Sequence, residues 1–494
     1  MGKNREAGEN ERPLIAYAPP LHPDKLGDPG LKNLLGIRYA YVCGAMANGI
    51  TSVEMVEAAG RAGMIGFFGA AGLLPDEIEA AIIRLSRFEA KFPYGFNLIH
   101  SPNEMTLEWE TVNRYLKHGI NLISASAYLD LTPALVYFRI KGVLRNTSGG
   151  IMVPNRIVAK VSRVEVARKF MAPPAGKLIS GLMDKGLITR DEAELASRIP
   201  MADAVTAEAD SGGHTDNRPA LTLLPTMITL RDELVAQHRF DQPVHVGLGG
   251  GIATPEAAAA AFAMGAAYVL TGSINQSCTE AGTSEPVRKM LCAAQQADVT
   301  MAPAADMFEL GVKVQVLKRG TMFSMRAAKL YDLYRTHDMY EQIPATIRAT
   351  LEKDFFRKSF AEEWEKTRAF FNIRDPEQIR RAEDNPKHKM ALVFRSYLGQ
   401  SSGWATRGDA SRVIDYQIWC GPGMGAFNQW VKGSFLEKPE NRRTVTVAHN
   451  LMFGAAIITR IGMLRHQAVW FPQSTGTTRP MTMDTIREKL CNDV

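Results

Sequence analysis

The sequence predicts an α/β protein built on a (β/α)8 TIM barrel, followed by a mainly helical C-terminal region. Three observations predict it. Short β-rich runs alternate with helical stretches through the first part of the chain, which is the pattern of a parallel sheet wrapped by helices. Two glycine-bearing strand ends, His245-Val246-Gly247-Leu248-Gly249-Gly250-Gly251 and Tyr268-Val269-Leu270-Thr271-Gly272-Ser273, lie about twenty residues apart. The alternation stops beyond about residue 305, where the periodicity is mostly helical.

Eight strands can be counted: Tyr39 to Cys43, Ile65 to Phe68, Tyr94 to Leu98, Asn121 to Ser124, Arg156 to Val161, Ala204 to Glu208, Val244 to Gly247 and Tyr268 to Thr271. Helical stretches follow them, among them Ser52 to Ala62, Pro75 to Lys91 and Pro255 to Met264. Pro75 and Pro255 suit a first helical turn, where no intrahelical donor is lost. Eight strands with no ninth favour closure over an open sheet. Residues 1–35 read as an N-terminal extension, 36–305 as the barrel and 306–494 as the helical region. Within the barrel, Pro173 to Ile199 reads as an inserted pair of short amphipathic helices joined at Gly186.

At 494 residues the chain accommodates a barrel of about 250 residues and a second unit. The 46% hydrophobic and 22% charged fractions are those of an ordinary globular protein. No apolar run reaches the roughly 18 residues a membrane span needs, and the best candidate, Leu451 to Leu464, is broken by Arg460. The first residues carry charge without an apolar segment behind them, so no secretory signal is read there. Five cysteines, Cys43, Cys278, Cys292, Cys420 and Cys491, lack metal-ligand spacing and are odd in number, so a reducing cytoplasmic setting without disulfides or zinc is expected.

Backbone without side chains at consecutive strand ends can approach a phosphate and point N–H groups at it, and the loops after the seventh and eighth strands are where such barrels build that site. Gly249, Gly250, Gly251, Thr271, Gly272 and Ser273 are therefore expected to hold a phosphate-bearing cofactor. At the end of the sixth strand, Gly212 and Gly213 turn the loop toward the barrel mouth and place His214 over it. An imidazole there can carry a proton near neutral pH, and it can equally serve as a structural hydrogen-bonder. The small-residue turn Ala45-Met46-Ala47 can lie against a flat ring, or simply pack tightly. Asn97 offers a donor and an acceptor, or caps its strand. Lys160, within the apolar run Ile157-Val158-Ala159-Lys160-Val161, needs a counter-charge or a polar mouth; an ion pair with Glu208 is one solution.

The Gly212-Gly213-His214 loop, the two phosphate loops and Asn97 resemble the FMN-binding barrels of the nitronate monooxygenase and FabK-like enoyl reductase superfamily. Longer stretches resemble the PfaD family of trans-acting enoyl reductases from polyunsaturated fatty acid and polyketide synthases. They are Gly311-Val312-Lys313-Val314-Gln315-Val316-Leu317-Lys318-Arg319-Gly320-Thr321-Met322-Phe323, Arg326-Ala327-Ala328-Lys329-Leu330-Tyr331 and Asp415-Tyr416-Gln417-Ile418-Trp419-Cys420-Gly421-Pro422. The resemblance implies FMN in the barrel, NADPH as hydride donor and an enoyl thioester delivered on an acyl carrier protein. It also implies that Ala45, Met46, Ala47, Asn97, Ser124, Lys160, Gly212 and Gly213 line the flavin with the two phosphate loops, Lys160 near N1/O2, and that His214 serves the substrate as acid or oxyanion partner.

Between Lys313 and Arg412 there are 20 Lys plus Arg against 13 Asp plus Glu, an excess of +7 beside a formal +6 for the whole chain. Such a region suits an acidic carrier protein, or is a solvated helical surface. Nucleic acid is not expected, because acids interleave with the basic residues and no binding module is seen. A homodimer stays open as an assembly. Three other readings use the same features: a nitronate monooxygenase with His214 as base, an IMP-dehydrogenase-like enzyme needing a mobile nucleophilic cysteine that Cys278 is poorly placed to be, and a scaffold without chemistry.

Overall fold

Eight parallel strands close on themselves in the computed structural model, which describes residues 14–87, 92–100, 105–472 and 474–491. In chain order they are Tyr41–Cys43, Ile65–Phe68, Tyr94–Ile99, Leu122–Ser126, Arg156–Val161, Ala204–Glu208, His245–Gly249 and Val269–Thr271, each paired with its neighbours and the last with the first. Each of the eight runs read from the sequence is a barrel strand. The helices Val53–Arg61, Pro75–Ser86 and Pro255–Ala263 follow as expected, although residues 88–91 of the second expected helix lie outside the described residues.

Strand periodicity separates two cores. Val42, Ile65, Phe67, Leu122, Val158, Ala204, Tyr268 and Leu270 form one cluster inside the barrel, and the helix Pro29–Leu35 closes its lower end with Leu31 and Leu35. The alternate residues, among them Cys43, Phe96, Ile123, Ala159, Val205, Val246 and Val269, face the surrounding helices. The inserted helices are Gly176–Asp184 and Arg190–Ala196, joined through Gly186, and Thr189 and Glu192 form a capping box at the start of the second.

A buried ion pair fixes the lower end of the fifth and sixth strands. Arg139, almost fully buried, donates to both oxygens of Asp203 at 2.6 and 3.1 Å and to the carbonyls of Asn155 and Pro200, while Asp203 also accepts from the Ile157 amide. Removing one partner of such a pair strands a charge. Arg139→Leu is expected to lower stability by about 3 kcal/mol, read as a lower urea midpoint; a loss under about 1 kcal/mol would mean the pair is neutral in the balance.

Beyond residue 305 the expectation of helix needs one correction. Lys313–Leu317 is a strand, antiparallel to Val299–Pro303, and its other edge takes Gly213–His214 from the loop after the sixth barrel strand. The alternation of Val314 and Val316 against Lys313 and Gln315 lasts five residues, too short to stand out beside the helices around it. The rest of the region is helical, with the long helices Phe323–Thr336, Phe360–Arg374, Pro386–Arg407 and Thr444–His466. The last is long and apolar enough to cross a membrane by composition, and 56% of its apolar window is buried. It packs on the barrel helix Pro255–Ala263 so closely that a Cβ at Gly454 would lie 2.7 Å from Pro255.

Candidate active site

The same alternation that fills the barrel interior decides what reaches its upper rim. Two residues above inward-facing Leu122, Val158 and Thr206 stand Ser124, Lys160 and Glu208, and Asn97 shares their face in register with Ser124. Lys160 Nζ lies 2.7 Å from Glu208 Oε1, which also accepts from Ser211 Oγ. The lysine's counter-charge is therefore supplied by the protein. Asn97 donates to the Ser124 carbonyl at 3.2 Å and to Ser126 Oγ at 3.3 Å, and its own backbone carbonyl accepts from the Tyr115 hydroxyl.

His214 is held from a distance in sequence. Its Nε2 lies 3.1 Å from Asp306 Oδ1. Burial works to lower the imidazole pKa, and the charge and hydrogen bond of Asp306 outweigh it, so the net direction is upward; the carboxyl of Asp306 moves correspondingly downward against its own desolvation. The loop carrying His214 is fastened by Gln315, whose amide donates to Asp210 Oδ1 and the Ser211 carbonyl at 2.7 Å each. Gly212 touches backbone: a Cβ there would sit 2.9 Å from the Cys420 amide nitrogen.

The two glycine-bearing loops expected to hold a phosphate lie side by side at the rim above the seventh and eighth strands. Gly250 has φ +89 and a Cβ there would lie 2.7 Å from the Ala209 carbonyl carbon, so only glycine fits. Gly272 is the opposite case, with φ −131 and no atom within 4 Å of where a Cβ would stand, so that position faces open space. Thr271 turns its hydroxyl away from that space, to Tyr41 and Asn275. Gly44 N–H donates to the Thr271 carbonyl at 2.9 Å, and the following turn Ala45-Met46-Ala47 is half-buried and closed by Thr51, whose Oγ1 accepts from Met46 N–H.

Residues that sequence reasoning leaves unassigned complete this rim. Gly421 N–H donates to Ser273 Oγ at 3.0 Å, and a Cβ at Gly423 would be 3.3 Å from Ala253 and 3.7 Å from Gly251. The segment 420–423, at the start of the helix Gly423–Val431, thus walls both phosphate loops and the His214 loop. The run Gly421-Pro422-Gly423-Met424-Gly425 carries the signal that marks the other loops, glycine at close intervals. Asp306 and Gln315 have no such signal, because only the sheet with Gly213–His214 brings them near. Among the described residues no group of His, Cys, Asp and Glu could hold a metal ion. Cys278 is buried and its thiol is pushed well up by burial, which disfavours a nucleophilic role.

The upper rim thus brings together two glycine-bearing loops, the segment 420–423 that walls them, and an imidazole held by a carboxylate. Residues 29–354 match the nitronate monooxygenase family model, and the chain belongs to that family. Residues 337–416 match the inserted helical domain of [acyl-carrier-protein] S-malonyltransferase. The chain is 45% identical over 448 residues to one of the subunits of the polyunsaturated fatty acid synthase of Thraustochytrium sp., covering 89% of this chain and 30% of the relative. It is 44% identical over 436 residues to polyketide biosynthesis protein PksE of Bacillus subtilis, covering 88% of this chain and 56% of the relative. The chain thus spans only part of these relatives, 30% of one and 56% of the other. The enoyl reductase domain of MlnA, from the macrolactin biosynthesis cluster of Bacillus amyloliquefaciens, superposes with a TM-score of 0.84 at 39% identity, over 90% of this chain and 99% of that one.

Proposed function

We propose that the protein is a trans-acting, FMN-dependent enoyl reductase that uses NADPH to reduce the 2,3-double bond of enoyl thioesters borne by acyl carrier protein in polyketide or polyunsaturated fatty acid biosynthesis. The observation that carries this reading is the reach of the likeness to the MlnA domain. The family model ends at residue 354, whereas that likeness covers 90% of the chain.

The residues present fit FMN. The open space at Gly272, next to Ser273 and Gly421, would take its phosphate on backbone together with Gly249, Gly250, Gly251 and Gly423. Ala45, Met46 and Ala47 would lie against the ring, with Asn97, Ser124 and the Lys160–Glu208 pair around its polar edge. When bound, FMN supplies the hydride relay from NADPH to the β-carbon of the substrate. His214 then delivers a proton to the α-carbon, and Asp306 keeps the imidazole charged until it does so.

The test is an anaerobic titration of the purified protein. NADPH is expected to bleach the flavin spectrum, and an enoyl carrier thioester to restore it. Recovery only with oxygen and a nitronate would replace the reading with the monooxygenase, and a protein colourless after FMN reconstitution would remove both.

Carrier binding is proposed for the basic region 313–412. Lys318, Arg319 and Lys329 are exposed there, with Arg319 paired to Asp298. Activity on carrier-bound enoyl substrate is expected to fall as salt shortens the Debye length from about 10 to 3 Å, and activity on a small enoyl thioester to stay level. Charge reversal at Lys318, Arg319 and Lys329 should raise KM for the carrier-bound substrate alone. If both substrates respond alike, carrier docks elsewhere.

A further inference from the structure

A cavity of about 740 Å³ opens at the end of the barrel opposite the candidate active site. It lies below the first two strands, among the turn Pro23–Lys25, the approach residues Arg38 and Tyr39, and the helices Thr444–His466 and Met483–Cys491. That volume is in the range of about 300 to 1,000 Å³ common for small-molecule sites.

Its lining has two characters. Lys25, Arg38, Arg61 and Arg487 bring four cations against one carboxylate, Asp24. Asp24 is taken by Arg38 at 3.2 Å. Arg61 is paired with Glu57, one turn earlier on its helix. Arg487 pairs with Asp484 on its own helix, both well exposed, an interaction that holds little in water. Lys25 forms no ion pair among the described residues. The rest of the lining holds Tyr39, with the Arg38 guanidinium 5.2 Å from its ring centre, His22 and His449, and the apolar side chains Val445, Met483 and Leu490 beside the fully buried Ile486.

We propose that this cavity binds an anionic amphiphile, a phosphate or carboxylate head joined to an aliphatic chain. Oxyanions pair with guanidinium and ammonium groups through short charge-assisted bonds, and a chain laid on Val445, Met483 and Leu490, all partly exposed, removes apolar surface from water. Neither half of the lining suffices for a ligand of one character. Bare phosphate would leave the apolar side chains wet, and a neutral chain would leave Lys25 without a counter-charge. Binding here is separate from the reaction assigned to the opposite rim.

The probe is dodecyl phosphate below its micellar concentration, titrated calorimetrically into the whole chain, with dodecanoate, 1-dodecanol and inorganic phosphate as comparators. One saturable site per chain is expected for dodecyl phosphate, with dodecanol and inorganic phosphate at least tenfold weaker. The ratio of dodecyl phosphate to dodecanoate affinity tells which head group the site prefers. Lys25→Glu and Arg487→Glu, both on the surface, should each weaken binding at least tenfold, and Ile486→Trp should fill the cavity and abolish it. Lys185→Glu, on the inserted helices, should change nothing. Should Ile486→Trp not fold, the two charge reversals decide. The proposal is overturned by the absence of a saturable site, by dodecanol or phosphate binding as well as dodecyl phosphate, or by binding that survives both charge reversals.

Discussion

Replacing Gly272 by leucine is expected to remove FMN while leaving the fold as stable as before. Its φ of −131 is not a left-handed one, and a Cβ would meet nothing within 4 Å, so no contact opposes the new side chain. It would stand in the space where the phosphate is proposed to sit. Affinity should fall at least about a hundredfold, equivalent to ~2.7 kcal/mol. Gly250→Leu makes the informative contrast. There the positive φ and the 2.7 Å approach to the Ala209 carbonyl carbon oppose any side chain, so stability should fall together with flavin content. Bound flavin per chain and the thermal midpoint, measured on both variants, separate the two effects. A Gly272→Leu protein that purifies with full flavin would place the phosphate elsewhere.

His214→Ala should keep flavin and its reduction by NADPH, and slow transfer to the enoyl thioester by about 10²- to 10⁴-fold, the usual range for a lost general acid. Asp306→Asn should be milder and carry a pH signature. Because Asp306 raises the imidazole pKa, the charged form survives above its ordinary value of 6.5 and the proton-dependent step declines only as pH rises through the raised value. Without the carboxylate that decline should move to lower pH. The same pair stabilises the fold at pH below the unfolded imidazole value, and this contribution fades as pH rises through the folded one. Stopped-flow rates of the oxidative half-reaction across pH give the result directly. If His214→Ala reoxidises at the wild-type rate, the imidazole has no part in the chemistry.

The barrel is legible in the sequence because each strand is a short apolar or small-residue run bounded by turns. Which residues face inward, such as Val42, Phe67, Val158 and Leu270, is not, because both faces of these strands are buried. The cradle is legible for a related reason, since glycine at a strand end signals backbone approach within a few residues of sequence. What escapes is non-local. Asp306 reaches His214 across 92 positions and Gly421 reaches Ser273 across 148, and no local pattern marks either member of such a pair. The strand Lys313–Leu317 merges into a helical region when read from sequence, because its identity as a strand depends on an edge offered by Gly213–His214.

That shared sheet also fixes an order in time. During synthesis all eight barrel strands have emerged once Thr271 has, while the C-terminal region is still being made. At that moment His214 has neither its carboxylate nor the strand that holds its loop, and the rim lacks the wall that Cys420, Gly421 and Gly423 supply. The rim is complete only when the C-terminal region has folded back across it, and a chain cut short before residue 420 is expected to leave the loops after the seventh and eighth strands unwalled on one side.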